Sequence, residues 1–168
     1  MSESAQTPMK GAVRDAVGEQ IKHEFYSAYL YLSMAGSFEV ANLPGFAHWM
    51  RQQSREEVEH AIKFFDFLLD RGEHVQLRAI EEPPYAFRSP LDTFEQALEH
   101  EKEITARIHD LYELAVREND YPAQVFLNWF VTEQVEEEKS ATEIVERLRM
   151  AGEDGAALFL LDSELGNR

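Results

Sequence analysis

The sequence predicts an all-α fold: a four-helix bundle with one long crossover and a short fifth helix at the C-terminus. Three observations predict it. Four stretches carry apolar residues stepping by three and four, the spacing of one face of a helix. The links inside the first and second pairs of stretches are a few residues long, whereas the link between the pairs is much longer. Finally, an apolar segment from Ala156 to Leu165 follows Gly152 and is too short to be a fifth full-length partner.

The first helix is expected over about 8–39, with Thr7 as a hydroxyl cap and Pro8 where its missing N–H does no harm. Its inward face reads Val17, Ile21, Glu24, Ala28, Tyr31, Ala35. Asn42, Leu43 and Pro44 restart the chain, and the second helix, about 43–71, ends at Gly72. Its face reads Phe46, Met50, Gln53, Glu57, His60, Phe64, Phe67. Ser89, Pro90 and Asp92 start the third helix, about 90–118, with the face Phe94, Ala97, Glu101, Ile104, Ile108, Leu111, Ala115. Asn119 and Asp120 break it, and Tyr121-Pro122 opens the fourth, about 121–151, with the face Ala123, Leu127, Phe130, Gln134, Glu137, Ala141, Ile144, Leu148. Asp154 caps the fifth, about 155–165.

Short links make each pair an antiparallel hairpin. A helix of about 30 residues is roughly 45 Å long at 1.5 Å per residue. The stretch of about 16 residues between Gly72 and Ser89 reaches about 50 Å when extended. It can cross the whole bundle, so the third helix runs parallel to the second in an up-down-down-up order. No internal boundary is visible, and residues 1–168 are read as a single domain.

Bulk composition narrows the chemistry. Hydrophobic residues make up 44% and aromatics 11%, enough for a packed core. With no cysteine, disulfides, zinc–thiolate sites, iron–sulfur clusters and thiol catalysis are excluded. The first residues lack a basic segment followed by an apolar one, and no apolar run approaches a bilayer's thickness, so the expected location is the cytoplasm. Sixteen basic against 32 acidic residues give a formal charge of −16, which repels nucleic acid and anionic lipid and attracts cations. No Gly-rich phosphate loop or basic cluster appears.

The decisive feature is where certain polar groups fall. Glu24, Glu57, His60, Glu101, Gln134 and Glu137 lie near the midpoints of four otherwise apolar faces, so side-by-side packing gathers them in one layer. A lone buried carboxylate costs several kcal/mol, so four in one core need cations. Glu57 and His60 sit three apart on adjacent turns, as do Gln134 and Glu137. Four carboxylates neutralise two divalent ions, and oxygen-rich ligation with one imidazole favours iron or manganese. Di-iron bundles take a Glu from each of two helices and Glu-x-x-His from the others. Here the second motif is Gln-x-x-Glu, which makes the site asymmetric. Glu56, Glu59, Glu133, Glu136 and Glu138 flank the layer, as a solvated acidic face or a further cation site. Tyr31 and Trp129, on or beside the seam, are core residues or electron donors; His23, His48, His74, His100 and His109 lie off it. Other readings of the pattern are a discrete di-metal oxidase acting on an organic substrate and a metal-free structural bundle.

The segments His23-Glu24-Phe25-Tyr26-Ser27, Arg55-Glu56-Glu57-Val58-Glu59-His60, His100-Glu101, Asn119-Asp120-Tyr121-Pro122, Phe126-Leu127-Asn128-Trp129, Glu133-Gln134-Val135-Glu136-Glu137-Glu138-Lys139 and Ala151-Gly152-Glu153-Asp154-Gly155 together resemble the ferritins. The haem-free bacterial and archaeal type is the most similar. The resemblance implies a ferritin-like bundle and Fe(II) oxidation by O2 or H2O2, with storage of ferric mineral in a hollow homomeric 24-subunit cage. It places one iron at Glu24, Glu57 and His60 and the other at Glu57, Glu101 and Glu137, with Gln134 alongside and Tyr31 near the centre. A third site would use Glu56, Glu133, Glu136 and Glu137. Bacterioferritins resemble the chain too, but carry a haem-ligating Met where Val58 stands and His where Glu137 stands, so no haem is expected. Rubrerythrins add a cysteine-rich domain absent here. The apolar tail helix is expected to pack against other subunits.

Overall fold

The computed structural model describes residues 7–167. Among them five α-helices follow in order, α1 Gly11–Val40, α2 Pro44–Asp70, α3 Pro90–Arg117, α4 Tyr121–Ala151 and α5 Gly155–Leu165. Four of the five starts and all five ends lie within one residue of the boundaries read from the sequence. The start of α1 differs: Thr7 and Pro8 precede the helix, and Lys10 is its extended N-cap residue, without a side-chain bond. Extended backbone at Lys10 lets Met9 fold back into the core beside Val13 and Val17, and that burial sets the boundary rather than Thr7-Pro8.

Three helices end in the same closed motif, in which a residue with positive φ lets two amides turn back on the last turn. In α2 that residue is Gly72 (φ 75°), with Gly72 N–H on Leu69 O and Glu73 N–H on Leu68 O. Asn42 (φ 58°) and Asn119 (φ 55°) do the same for α1 and α3, as asparagine tolerates this region better than other side chains. The following starts are capped by carboxylates or a hydroxyl: Ser89 accepts from Asp92 N–H, Asp120 from Ala123 N–H, and Asp154 from Ala156 and Ala157 N–H. Asp120 is buried, yet Arg71 at 2.8 Å holds its carboxyl below the usual range and ties the end of α2 to the start of α4.

Side-chain pairings fix the topology. Phe38 meets Phe94 while Tyr31 meets Glu101, so α1 and α3 run in opposite directions. Phe64 stacks on Phe130 while Gln53 reaches Glu137, so α2 and α4 do too. With each hairpin antiparallel, α2 is parallel to α3, the up-down-down-up order. The crossover climbs the outside of α1: Arg14–Glu73, Glu19–Arg78 and Lys22–Glu81 ion pairs precede the Ser33 hydroxyl donating to Pro84 O at 2.6 Å.

The core falls into two apolar halves. One gathers Met34, Phe38, Phe46, Met50, Phe94 and Leu148 with Leu161 of α5. The other gathers Val13, Val17, Ile21, Phe64, Ile108, Leu127 and Phe130. Between them lies the polar layer. No described helix is long and apolar enough to cross a membrane.

Candidate metal centre

Each bundle helix delivers its part because three- and four-residue steps return to one face every turn. Glu24 comes from α1, Glu57 and His60 from α2, Glu101 from α3, and Gln134 and Glu137 from α4. None of these six is more than 6% exposed. The structure gathers ligand atoms of Glu24, Glu57, His60, Glu101 and Glu137 into overlapping groups, and Gln134 hydrogen-bonds to Glu101 beside them.

Two buried groups of three form, in each of which one atom per residue lies within 4.8 Å of the others: Glu24, Glu57, His60 and Glu57, Glu101, Glu137. Glu57 belongs to both. His60 Nδ1 stands 3.3 Å from Glu57 Oε2 and 4.0 Å from Glu24 Oε2. A third group joins His60 to Glu133 and Glu137. Glu133 is half-buried and Glu136 is exposed. Glu56, half-buried, acts on Glu137 through its charge.

Amides and a phenol hold the carboxylates in place. Gln20 donates to Glu24 Oε1 at 2.8 Å. Gln53 donates to Glu137 Oε2 at 2.6 Å and to Glu57 Oε1 at 3.4 Å. Gln134 donates to Glu101 Oε2 at 3.1 Å, to Glu101 O at 3.3 Å and to Thr105 Oγ1 at 3.2 Å. Its amide nitrogen therefore faces α3, and it orients a carboxylate. Tyr31, buried, donates its hydroxyl to Glu101 Oε1. After all of this Glu24 Oε2 remains buried with no hydrogen-bond partner among the described residues. A buried carboxyl oxygen with no donor, converging with Glu57 and His60, has the chemistry to receive a cation.

The electrostatics agree. Burial first, then Glu57, pushes the Glu24 carboxyl well above the usual range. Burial, then Glu101 and Glu137, does the same to Glu57. Burial lifts Glu101 to about 7 against the hydrogen bonds from Tyr31 and Gln134. Burial and Glu101 lift Glu137 to about 8. Tyr31 is pushed well above its ordinary value by burial and then Glu101, which keeps it a proton-bearing donor. Four carboxyls that resist ionisation while converging on one volume become comfortable only when positive charge replaces their protons.

Trp129 lies outside the layer, exposed, with its ring edge on His60 (centroids 5.4 Å apart) and the Lys63 ammonium 3.6 Å above it. His100, set aside on sequence, neighbours the layer without joining it. Its Nε2 is 2.7 Å from Ser27 Oγ, and burial first, then His23, pushes its pKa down to about 4. Sequence reasoning missed Gln20 and gave Gln53 no role. Both stand four residues before a layer carboxylate on the same helix, which is the signal that would have found them.

A family model described as the ferritin-like domain matches residues 14–151. The chain belongs to the ferritin family. A bacterial non-heme ferritin of Staphylococcus saprophyticus is 42% identical over 154 residues, covering 92% of each chain. One from Staphylococcus aureus is 39% identical over the same length, covering 92% of this chain and 93% of that one. Among solved structures, an open pore ferritin of the archaeon Archaeoglobus fulgidus superposes with a TM-score of 0.94 at 52% identity, covering 95% of this chain and 99% of that one. An engineered closed form of the same protein gives 0.94 and 52%, covering 95% and 98%. This ferritin stores iron, and the readings as an organic-substrate oxidase and as a metal-free bundle fall away.

Proposed function

We propose that the layer is a ferroxidase centre that oxidises two ferrous ions together before storage. In this reading Glu24, Glu57 and His60 take one Fe(II), and Glu57, Glu101 and Glu137 take the other. Gln134 and Tyr31 steer Glu101. The observation that carries the proposal is the sharing of Glu57 by two buried ligand groups beside an unpartnered Glu24 oxygen. A shared carboxylate sets two ions side by side, so each gives one electron to the same oxidant. Two Fe(II) become two Fe(III), while O2 with two protons becomes H2O2, or H2O2 with two protons becomes two waters. The carboxyls that exchange protons for iron supply protons locally.

Ferric product then leaves for the interior of a homomeric 24-subunit cage in the cytoplasm, with Glu56, Glu133, Glu136 and Glu137 as a third site beside the centre. Similarity to cage-type ferritins of nearly equal length supports the assembly. Val58, exposed on α2, stands where a haem-ligating Met would be required, and no haem takes part.

The test adds Fe(II) aerobically to metal-free protein and runs it on a sizing column with iron detection. Hundreds of irons co-eluting with a particle near 24 subunits are expected. About two irons per chain on a small oligomer would keep the di-metal centre and remove the cage.

A further inference from the structure

The N-terminus of α2 lacks a side-chain cap of its own: Leu43 occupies the cap position and offers no acceptor. The missing acceptor comes from 116 residues away. Asp162, on α5, is buried at 8% exposure and accepts the Phe46 N–H on Oδ1 at 2.9 Å. A carboxylate at a helix N-terminus answers both an orphan donor and the positive end of the helix dipole.

The approach that makes this bond possible depends on Gly45. A Cβ there would sit 1.6 Å from the backbone oxygen of Asp162 and 2.5 Å from its carbonyl carbon. These are backbone atoms, so no rotamer change relieves the clash. A Cβ on Gly166, by contrast, would meet Gly45 Cα at 3.5 Å, an ordinary van der Waals contact, so the tight position is Gly45. Gly45 stands at the start of a helix, where φ is ordinary and alanine would favour the helix on propensity alone. The constraint is the neighbour, not the backbone angle.

Helix α5 needs such a hold. It has 11 residues, below the roughly 12–15 at which an isolated helix is even marginal in water. Only Leu161 and Asp162 of it are buried, Phe159 and Leu160 are 65% and 64% exposed, and one ion pair, Arg147–Glu164, ties its far end to α4. We infer that Asp162 and Gly45 form a latch that fixes α5 against the N-terminus of α2 and thereby decides which face the tail helix turns outward. The buried Asp162 side faces α2, and Phe159 and Leu160 are left on the open side. The inference needs neither iron nor the ferroxidase reading.

Hydrogen–deuterium exchange on the full-length, metal-free protein tests it, following peptides that cover residues 44–50 and 155–167. In Asp162→Ala, both peptides should exchange about tenfold faster or more, the factor that loss of a hydrogen bond to a charged acceptor supplies. Asp162→Asn retains an oxygen acceptor and should restore most of the protection. Gly45→Ala should release the same two peptides, and the double variant Gly45→Ala/Asp162→Ala should be no worse than either single one, since both break one contact. Peptides from α3 should be unchanged throughout, which separates release of α5 from global unfolding. Normal protection of 155–167 in Asp162→Ala, or additive effects in the double variant, would overturn the latch.

Discussion

Gln20 donates to one oxygen of Glu24 at 2.8 Å and leaves the other oxygen bare inside the core. The metal-free site is therefore held together against its own electrostatics. Replacing Glu24 by Gln removes a carboxyl that burial and Glu57 both disfavour. Metal-free Glu24→Gln should melt higher than the parent at pH 8, by about 3 °C for a gain near 1 kcal/mol in a chain of this size. It should also bind Fe(II) more weakly. Calorimetry on the two metal-free proteins reads the first effect, and a lower melting point would show that Glu24 is not strained.

The pH response follows from the raised carboxyls. Glu101 moves from 4.5 to about 7 and Glu137 from 4.5 to about 8. The folded form binds these protons more tightly than the unfolded chain, so their contribution is fully present below about 4.5 and is lost as pH rises through 7 and 8. Stability of the metal-free protein should fall over that window. Divalent metal should bind more tightly as pH rises, releasing about one to two protons per site from these two groups near neutrality. Zn(II), which is redox-silent, can be titrated in buffers of different ionisation enthalpy, and binding without proton release would contradict the assignment.

Glu57→Ala removes the group common to both ion positions. Fast oxidation should vanish while the assembled particle remains, as read by stopped-flow absorbance and sizing. Gln53→Leu is subtler, because it takes away only the amide that binds Glu137 and Glu57. Partners of this kind are worth about 10–100-fold in affinity or activity, and a slowing of that order is expected. Equal initial rates in both variants and the parent would place the chemistry elsewhere.

Phe64 is wholly buried and stacks on Phe130 with centroids 4.1 Å apart. Phe64→Ala should cost about 3–5 kcal/mol. Thermal or denaturant unfolding measures it, and a loss below about 1 kcal/mol would mean that the core half around Phe64 collapses around the gap.

Much of this centre was legible in the sequence because helix geometry is local. Glu24, Glu57, His60, Glu101, Gln134 and Glu137 share one phase with the apolar residues around them, and phase alone predicts a common layer. What stayed hidden depended on side-chain direction or on distant chain. Glu133, four residues before Glu137, lies on its face and reaches His60, whereas Glu136 is one residue and about 100° away and faces out. The start of α1 was misplaced because burial of Met9 outweighed the Thr7-Pro8 signal. The bond from the Phe46 N–H to Asp162 joins positions that no periodicity relates.

The polar layer lies where the two hairpins meet. Glu24, Glu57 and His60 belong to the first hairpin, and Glu101, Gln134 and Glu137 to the second. Neither hairpin owns a complete pair of ion positions. A cation held by Glu57, Glu101 and Glu137 would act as a rivet between two half-molecules, so a chain severed in the crossover should reassemble from its fragments most readily when metal is present.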